Sequence, residues 1–347
     1  METLLPQAPG KRIEYIDALR GFTMILVVLC HVAYSCLGID ENTPSFHRYL
    51  VQVRMPMFFF ISGFVLYKAG VVWTLNHIGG FLRKKFVVQI LSSLFFFTLF
   101  VHFSNKNFYN GFVDVSKYGY WFTYTLFIYY IFYALIRFLC KKYEDYVVII
   151  VAAIFYVINW PPLYTIIPVP DNVKAILGIE NWFYFCFFLL GTLFKKHFNA
   201  ITCLLDKQKL LLFVSILMYF LLNIYQDILP SGGVVGVIIQ FCKTITGIVI
   251  IFSFFRNKQD LFTKKKVLGR LLQYIGRRTL DIYLLHYFLL PHSLSNYTSF
   301  LIQHPMPILE FTISIIITAI VICISLLFSN IIRMSPLGGH WLFGVKI

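Results

Sequence analysis

The sequence predicts an all-α membrane protein, a bundle of ten transmembrane helices with both termini in the cytoplasm. Of the 347 residues, 59% are hydrophobic and only 13% are charged. The mean hydropathy of +0.76 also lies well above the balance typical of soluble domains. A third observation is a series of apolar runs long enough to cross a hydrocarbon layer of about 30 Å. We therefore expect a multi-pass protein embedded in the lipid bilayer.

The apolar runs follow one another without a linker, an internal repeat or a soluble domain, so residues 1–347 are predicted to form a single membrane domain. The runs predicted to cross the membrane are 21–37, 54–72, 86–103, 121–139, 146–160, 181–194, 210–225, 234–255, 279–295 and 308–330. The fifth, sixth and seventh runs are short for a crossing, and the sequence defines their ends least sharply.

Cation placement predicts the orientation of the chain. Alternate loops differ strongly in their content of Lys and Arg, and the cation-poor set contains only Arg48, Arg54, Lys106, Lys117 and Lys174. Because short cytoplasmic loops are enriched in Lys and Arg, the cation-rich loops and both termini are predicted to be cytoplasmic. The largest of these loops is the basic segment 256–278. The formal net charge of +15 is then a topology signal and does not indicate a nucleic-acid partner.

The first span contains two ionisable residues, Arg20 and His31, separated by ten residues. Eleven helical steps return to within roughly 20° of the starting direction and advance about 16 Å, so both side chains should lie on one face. An arginine at the membrane border then places the imidazole near the midplane, where ionisable groups usually mark function. Asp17, three residues before Arg20, can bond the guanidinium. His31 is the candidate general base. A helix-end ion pair beside a structural histidine is the alternative interpretation.

Two polar groups belong to the second and third spans. Ser62 precedes Gly63, and such a pair of small residues allows either close helix packing or a local bend. Arg83, Lys84 and Lys85 stand at the cytoplasmic start of the third span. Their charge is explained by topology alone, but together with Arg20 they would also suit an anionic ligand that carries phosphates.

The later spans contribute three more candidates. Lys243 lies in the middle of the eighth span, where it cannot easily reach the membrane surface, so we expect an anionic partner or a wet cavity. Tyr283 and His286 lie in the ninth span; Tyr283 is interpreted first as a structural hydrogen bonder, and His286 equally as structural or as part of a polar cavity. With Ser62, these three are the candidate substrate-binding residues.

Several chemistries are not expected from this sequence. It has no Walker-type phosphate loop, no HExxH, no GxSxG and no metal-ligand spacing of His, Cys and carboxylates. Nucleotide hydrolysis and metal catalysis are therefore not predicted, and no metal is expected. The seven cysteines form no CxxC pair and are interpreted as small apolar residues without a disulfide framework.

These residues resemble the acyltransferase 3 family of integral membrane acyltransferases, which includes O-acetylases of bacterial surface polysaccharides. The resemblance covers nearly the whole chain. Its specific element is Arg20 and His31 at their ten-residue separation, supported by the segments 16–21, 58–64, 120–122 and 282–286. The chain departs from many relatives where they carry a second arginine before the third span, because here Arg83 is followed by Lys84 and Lys85.

The resemblance implies a ten-span bundle in the bacterial cytoplasmic membrane. It also implies a cytoplasmic acyl-CoA donor, acetyl-CoA by default, and as acceptor a hydroxyl of a cell-surface glycan or lipid-linked saccharide. In the expected mechanism Arg83, Lys84 and Lys85 hold the donor phosphates with Arg20 deeper in the channel. His31 removes the proton of the acceptor hydroxyl, and an acyl-histidine intermediate remains an alternative. Tyr118, Tyr120 and Trp121 would form either a sugar-stacking surface or an interfacial belt.

A transporter is the competing interpretation from a different class. A proton-coupled exporter of a glycan precursor would use His31, Lys243 and His286 as proton relay groups, and ten spans would suit it equally well. The separation of Arg20 and His31, with basic residues at the same mouth, favours the enzyme because it suits a long anionic donor better than a proton.

Overall fold

The protein is all-helical in the part of the chain that the structure describes. The computed structural model describes residues 12–39, 45–140, 144–158, 169–207, 209–228, 233–292, 294, 300 and 306–344, and these residues contain no β-strand. The predicted all-α class is therefore confirmed. In chain order the helices are α1 (Glu14–Leu37), α2 (His47–Leu66), α3 (Leu75–Phe103), α4 (Phe108–Val113), α5 (Trp121–Leu139), α6 (Glu144–Ile158), α7 (Asp171–Leu177), α8 (Tyr184–Lys196), α9 (Phe198–Lys207), α10 (Lys209–Ile228), α11 (Gly233–Asn257), α12 (Val267–Arg277), α13 (Thr279–Leu285), α14 (Pro307–Met334) and α15 (Pro336–Phe343).

Six of these helices, α1, α2, α3, α5, α11 and α14, are long and apolar enough to cross a membrane. They coincide with six of the predicted spans: 21–37, 54–72, 86–103, 121–139, 234–255 and 308–330. A bent pair of helical segments, Phe198–Leu205 and Leu210–Tyr225, brings the number of candidate spans among the described residues to as many as seven. The bent pair includes the predicted run 210–225.

The other predicted spans are shorter or interrupted. Helices α6 and α8 contain 15 and 13 residues, fewer than the roughly 20 of a typical crossing, and the run 146–160 ends outside the described residues. The run 279–295 is broken, because α13 ends at Leu285 and a 3₁₀ turn, His286–Leu289, follows it. Pro291 then lacks the N–H that a continued helix needs. The count of ten spans and the cytoplasmic termini remain predictions.

Helix α12 packs directly against the first half of α1. A Cβ atom added to Gly21 would lie 2.0 Å from the carbonyl oxygen of Leu272, and one added to Gly276 would lie 1.9 Å from that of Asp17. The two backbones approach this closely only because both positions are glycine. Residues 267–277, predicted from their charge to be part of a cytoplasmic loop, thus form a helix whose buried face includes Leu272, Ile275 and Gly276.

The same type of contact joins α2 to α8. A Cβ on Gly63 would lie 1.9 Å from the carbonyl oxygen of Phe188, and one on Gly191 would lie 2.0 Å from that of Phe60. The Ser62–Gly63 pair therefore has the packing role that its small residues allow. Ser62 itself lies on a different face of α2, and its hydroxyl donates to the carbonyl of Phe58 at 2.8 Å.

A buried ion pair fixes α13 to α14. Asp281 is only 1% exposed and accepts two hydrogen bonds from Arg333, at 2.7 Å from Nε and 3.0 Å from Nη2. The hydroxyl of Ser329 donates a third at 2.5 Å. Because a charged donor forms a bidentate bond here, the start of α13 is held firmly, and α13 carries Tyr283 toward the middle of the bundle.

Candidate active site

Helix α1 presents one stripe of side chains to the interior cavities. Arg20, Met24, Val27 and His31 recur at steps of four, three and four residues, which places them on one helical face, and each lines a cavity. Helix α1 is continuous from Glu14 to Leu37, so the distance along its axis from Arg20 to His31 is about 16 Å. The guanidinium and the imidazole therefore line different cavities at two depths of the bundle.

The cavity at the Arg20 end has a volume of about 510 Å³, and we call it the Arg20 cavity. Its charged residues are Arg20, Lys68, Lys84 and Lys85, and none of its described lining residues is Asp or Glu. The guanidinium of Arg20 donates to the hydroxyl of Thr279 at 3.2 Å. Lys85 Nζ lies 3.5 Å from the hydroxyl of Tyr130 and 4.5 Å from its ring centroid. The cavity therefore favours an anionic ligand.

A π-helical turn in α3 contributes an amide to the Arg20 cavity. The turn comprises Phe86–Leu91, and its buried residue, Gln89, lines the cavity. Among the described residues the side-chain oxygen of Gln89 has no hydrogen-bond partner. Turns of this kind within α-helices often occur at functional sites, and this one leaves an acceptor oxygen available to a ligand N–H.

The second cavity, which we call the Arg54 cavity, has a volume of about 560 Å³. Its basic and imidazole residues are His31, His47, Arg54, Lys106 and His292, and its aromatic residues include Tyr118, Trp121 and Tyr287. No Asp or Glu is among the described residues that line it. Tyr118 and Trp121, predicted as part of an aromatic surface, do line this cavity, whereas Tyr120 is buried and donates its hydroxyl to the carbonyl of Leu284 at 3.0 Å.

A small gap, which we call the junction, shares lining residues with both cavities. It shares His31, Gly119, Trp121 and Tyr287 with the Arg54 cavity, and Phe58, Phe122 and Tyr283 with the Arg20 cavity. Its volume is about 10 Å³, which is close to the space that one water molecule requires. His31 therefore lines both the Arg54 cavity and the junction.

The imidazole of His31 is held by residues of the broken ninth run. His31 Nε2 lies 3.0 Å from the hydroxyl of Tyr287, which is also 3.2 Å from the carbonyl oxygen of Gly119. The ring of His286 lies 5.3 Å from that of His31. His286 is fully buried; its Nδ1 bonds the carbonyl of Ile282 at 3.0 Å, and its Nε2 has no partner among the described residues.

A left-handed turn before α5 supplies the carbonyl at the centre of this arrangement. Lys117, Tyr118 and Gly119 have φ values of 46°, 49° and 103°, which are unfavourable for the two non-glycine residues. The Gly119 carbonyl accepts a hydrogen bond from the hydroxyl of Tyr283 at 2.8 Å. A Cβ on Gly119 would lie 2.1 Å from the ring of Tyr287. Glycine is therefore needed both for the turn and for the approach of Tyr287.

Lys117 holds this turn in place outside the predicted spans. Its side-chain nitrogen donates to the carbonyl oxygens of Phe112 and Ala175, each at 3.1 Å, and so joins the loop before α5 to α7. Burial lowers the pKa of Lys117 to about 8, and the nearby Asp114 opposes this shift. The ammonium group thus compensates for the strained backbone by binding the loop together.

The structure brings most of the predicted site residues to the two cavities. Arg20, Lys84, Lys85, Ser62 and Tyr283 line the Arg20 cavity, His31 lines the Arg54 cavity and the junction, and His286 packs behind His31.

Three predicted residues lie elsewhere. Arg83 is exposed and is not among the described lining residues of either cavity. Asp17 lies at the contact between α1 and α12, and the hydrogen bond found for the guanidinium of Arg20 within the described residues goes to Thr279 instead. Lys243 is 1% exposed on α11, away from the described linings of both cavities.

Several residues of the site escaped sequence reasoning, among them Arg54, Lys68, Gln89 and Tyr287. Arg54 was counted only as a loop charge, Lys68 lies within the predicted span 54–72 and was not singled out, and Gln89 depends on the π-helical turn. Tyr287 directly follows His286, and this adjacency to a candidate residue was the available signal.

The fold and site define a class of protein: an apolar helical bundle with two basic cavities and, in the small junction that shares lining residues with both, a histidine. The chain belongs to the acyltransferase 3 family, since the family model, described as an acyltransferase domain, matches residues 13–329. No curated protein and no solved structure matches the chain significantly. The resemblance noted from the sequence is confirmed, and the family is one of membrane acyltransferases.

Proposed function

We propose that the protein transfers an acetyl or other short acyl group from cytoplasmic acyl-CoA to a hydroxyl of a cell-surface glycan or lipid-linked sugar. The observation that supports this most strongly is that His31 lines both the Arg54 cavity and the junction, which shares lining residues with the Arg20 cavity. Two ligands that enter from opposite ends of the bundle would have their reactive groups brought together there. Positioning of this kind contributes a large part of the rate in group-transfer enzymes.

The donor fits the Arg20 cavity in charge and in length. Its phosphates would bind Arg20, Lys68, Lys84 and Lys85, which are not neutralised by any described acidic lining residue. An amide of the extended arm would donate its N–H to the unpaired oxygen of Gln89. The thioester would then reach the junction, about 16 Å along α1 from Arg20. The predicted cytoplasmic position of the cation-rich loops supports entry of the donor from the cytoplasm.

The size of the junction supports a short acyl group. A space of about 10 Å³ admits little more than one water-sized group without movement of the surrounding rings. Phe58, Phe122 and Tyr283 form its boundary with the Arg20 cavity. An acetyl group would displace these rings less than a long acyl chain would.

In the proposed reaction His31 acts as the general base. Because Nε2 is bonded to Tyr287, Nδ1 is the nitrogen that accepts the proton of the acceptor hydroxyl. The oxygen attacks the thioester carbonyl, the new C–O bond forms and the C–S bond breaks. The thiolate of the departing CoA takes the proton from the imidazolium. General-base assistance of this kind contributes about 10²–10⁴ in rate.

Substitution of the histidine tests the proposal. We expect His31→Ala to reduce acetyl transfer from radiolabelled acetyl-CoA to glycan acceptors at least about 100-fold in proteoliposomes, with unchanged insertion and thermal unfolding. His102→Ala is the matched control, because His102 is exposed and lines neither cavity in the described structure. Wild-type transfer by His31→Ala would exclude the general-base role. Flux of a glycan precursor without any label transfer would instead support the exporter.

A further inference from the structure

The Arg54 cavity contains a guanidinium that its surroundings do not neutralise. Arg54 lines the cavity, and its Nε and Nη1 atoms are buried with no hydrogen-bond partner in the described part of the chain. Its neighbours along α2, Val53 and Met55, are apolar and buried. Burial of an unpaired guanidinium costs free energy unless an anion compensates its charge.

Other sheltered cations of this protein have compensating groups. Lys117 donates to backbone carbonyls, while Lys174, Arg137 and Arg333 pair with Asp171, Glu144 and Asp281 respectively. Arg54 thus differs from cations of comparable burial, and the difference coincides with its position on a cavity of about 560 Å³.

A second side chain on the same face of α2 also has a nitrogen atom without a described partner. His47 lies seven residues before Arg54, which is two helical turns, and it lines the same cavity. Its side chain is 2% exposed; Nε2 bonds the hydroxyl of Ser314 at 3.2 Å, whereas Nδ1 is buried and unpaired among the described residues. Two turns of α2 therefore each place on the cavity lining a residue with buried nitrogen atoms that have no partner among the described residues.

The rest of the cavity suits an anion attached to a sugar. Lys106 adds a further positive charge, with its Nζ 4.7 Å from the ring centroid of Tyr118. Tyr118 and Trp121 provide flat apolar surfaces on the same lining, and such surfaces accommodate the carbon faces of a sugar ring. His31 stands at the inner end, so an anion on Arg54 would orient a hydroxyl of the same molecule toward the base.

We infer that the acceptor is anionic, and that Arg54 binds its carboxylate or phosphate group while the hydroxyl to be acylated meets His31. This inference rests on the proposed function, because it describes the second substrate of that reaction. A planar guanidinium donates paired hydrogen bonds to a carboxylate or phosphate, and no described acidic residue lines the cavity to compensate the charge of Arg54. A neutral glycan would leave that charge uncompensated.

The direct test compares charged and neutral acceptors of the same ring. Methyl glucuronide, glucose 6-phosphate and methyl glucoside are supplied with radiolabelled acetyl-CoA to the full-length protein in proteoliposomes. We expect one of the two anionic acceptors to exceed the glucoside at least tenfold in kcat/KM, and the better anion identifies the group as carboxylate or phosphate. Arg54→Gln should abolish that preference mainly through KM, whereas Arg54→Lys should retain part of it.

A matched variant and a binding measurement separate the possible outcomes. Arg48→Gln removes a charge from the same helix but outside the described cavity lining, and it should preserve the preference. Each anion should also raise the unfolding temperature of the wild type but not of Arg54→Gln, without any turnover. Arg54→Gln alone should be no less stable than the wild type.

Two results would overturn the inference. One is a preference for the neutral glucoside in both transfer and binding; the other is an anion preference that survives in Arg54→Gln. Failure of the proposed function gives a different result, in which no acceptor is labelled although anion binding at Arg54 is observed. Transfer to the glucoside at the same rate as to the anionic acceptors, with no anion binding, would be consistent with the proposed acyltransferase and would reject only the anionic acceptor.

Discussion

At the scale of single residues, the hydroxyl of Tyr287 controls the environment of His31. It lies 3.0 Å from His31 Nε2 and 3.2 Å from the carbonyl oxygen of Gly119, while Tyr283 donates to that same carbonyl at 2.8 Å. When the Tyr287 proton goes to Gly119, His31 donates from Nε2 and its Nδ1 is free to accept a proton. Tyr287 is thus a positioning residue that selects the imidazole tautomer.

We expect Tyr287→Phe to lower kcat for acetyl transfer about tenfold and to leave the KM for acetyl-CoA unchanged. The lost hydrogen bond is worth roughly 1 to 1.5 kcal/mol, and a tenfold change in rate corresponds to about 1.4 kcal/mol. Steady-state kinetics of the purified protein in proteoliposomes measures both constants. Tyr274→Phe is the control, because its hydroxyl bonds Asn330 at 3.1 Å and Tyr274 lines neither described cavity. Equal losses in both variants would contradict the positioning role.

The residues of the site differ in how far the sequence could reveal them. Arg20 and His31 lie on one helix, so their spacing alone predicts a common face. The bond between His31 and Tyr287 joins positions 256 residues apart, and no periodicity reports such a contact. Arg54 was counted as a loop charge, because its buried environment depends on how α2 packs.

At the scale of helices, the contact between α1 and α12 helps to set the position of the α1 stripe that contains Arg20 and His31. Gly21 follows Arg20 directly, and its backbone lies against Leu272. Gly276 meets the carbonyl of Asp17 one turn earlier along α1. Any widening of this contact would shift Arg20 relative to Thr279, to which it donates at 3.2 Å.

We expect Gly276→Ala to destabilise the protein by about 1–3 kcal/mol, the range for overpacking of a close contact. The new Cβ would lie 1.9 Å from the carbonyl oxygen of Asp17, so the helices must separate. Thermal unfolding in detergent measures the effect. Gly79→Ala on α3 is the matched control, since no atom lies within 4 Å of its added Cβ, and it should be neutral or stabilising. An unchanged midpoint of thermal unfolding for Gly276→Ala would contradict this expectation, because it would show that the two helices can separate without a loss of stability.

The helices differ in how clearly the sequence predicts them. Six predicted spans are confirmed as candidate crossings, because a long apolar run is a direct consequence of the thickness of a membrane. The break in the ninth run was not predicted, because hydropathy detects neither the effect of Pro291 nor the contacts of His286 in the folded bundle. Helix α12 was not predicted, because its exposed cations resemble those of a cytoplasmic loop. Its packing face also depends on glycines rather than on large apolar side chains alone.

At the scale of the whole molecule, charge and shape divide the bundle into two compartments. The Arg20 cavity and the Arg54 cavity are both basic, and the described residues leave only the junction of about 10 Å³ between them. The sequence predicted a stripe from Arg20 to His31, but not that two cavities would meet along it, because cavities arise from contacts between helices. This division has a consequence for transfer across the membrane: donor and acceptor should act from opposite sides.

Transfer with controlled sidedness tests this claim most directly. The protein is reconstituted in one orientation, verified by labelling a cysteine introduced at an exposed position beside the Arg20 cavity, and acetyl-CoA and the acceptor are supplied on chosen sides. We predict label transfer when acetyl-CoA faces the Arg20 cavity and the acceptor faces the Arg54 cavity, and at least tenfold less when both are present only on the Arg20 side. Equal transfer with both substrates confined to one side would contradict the account.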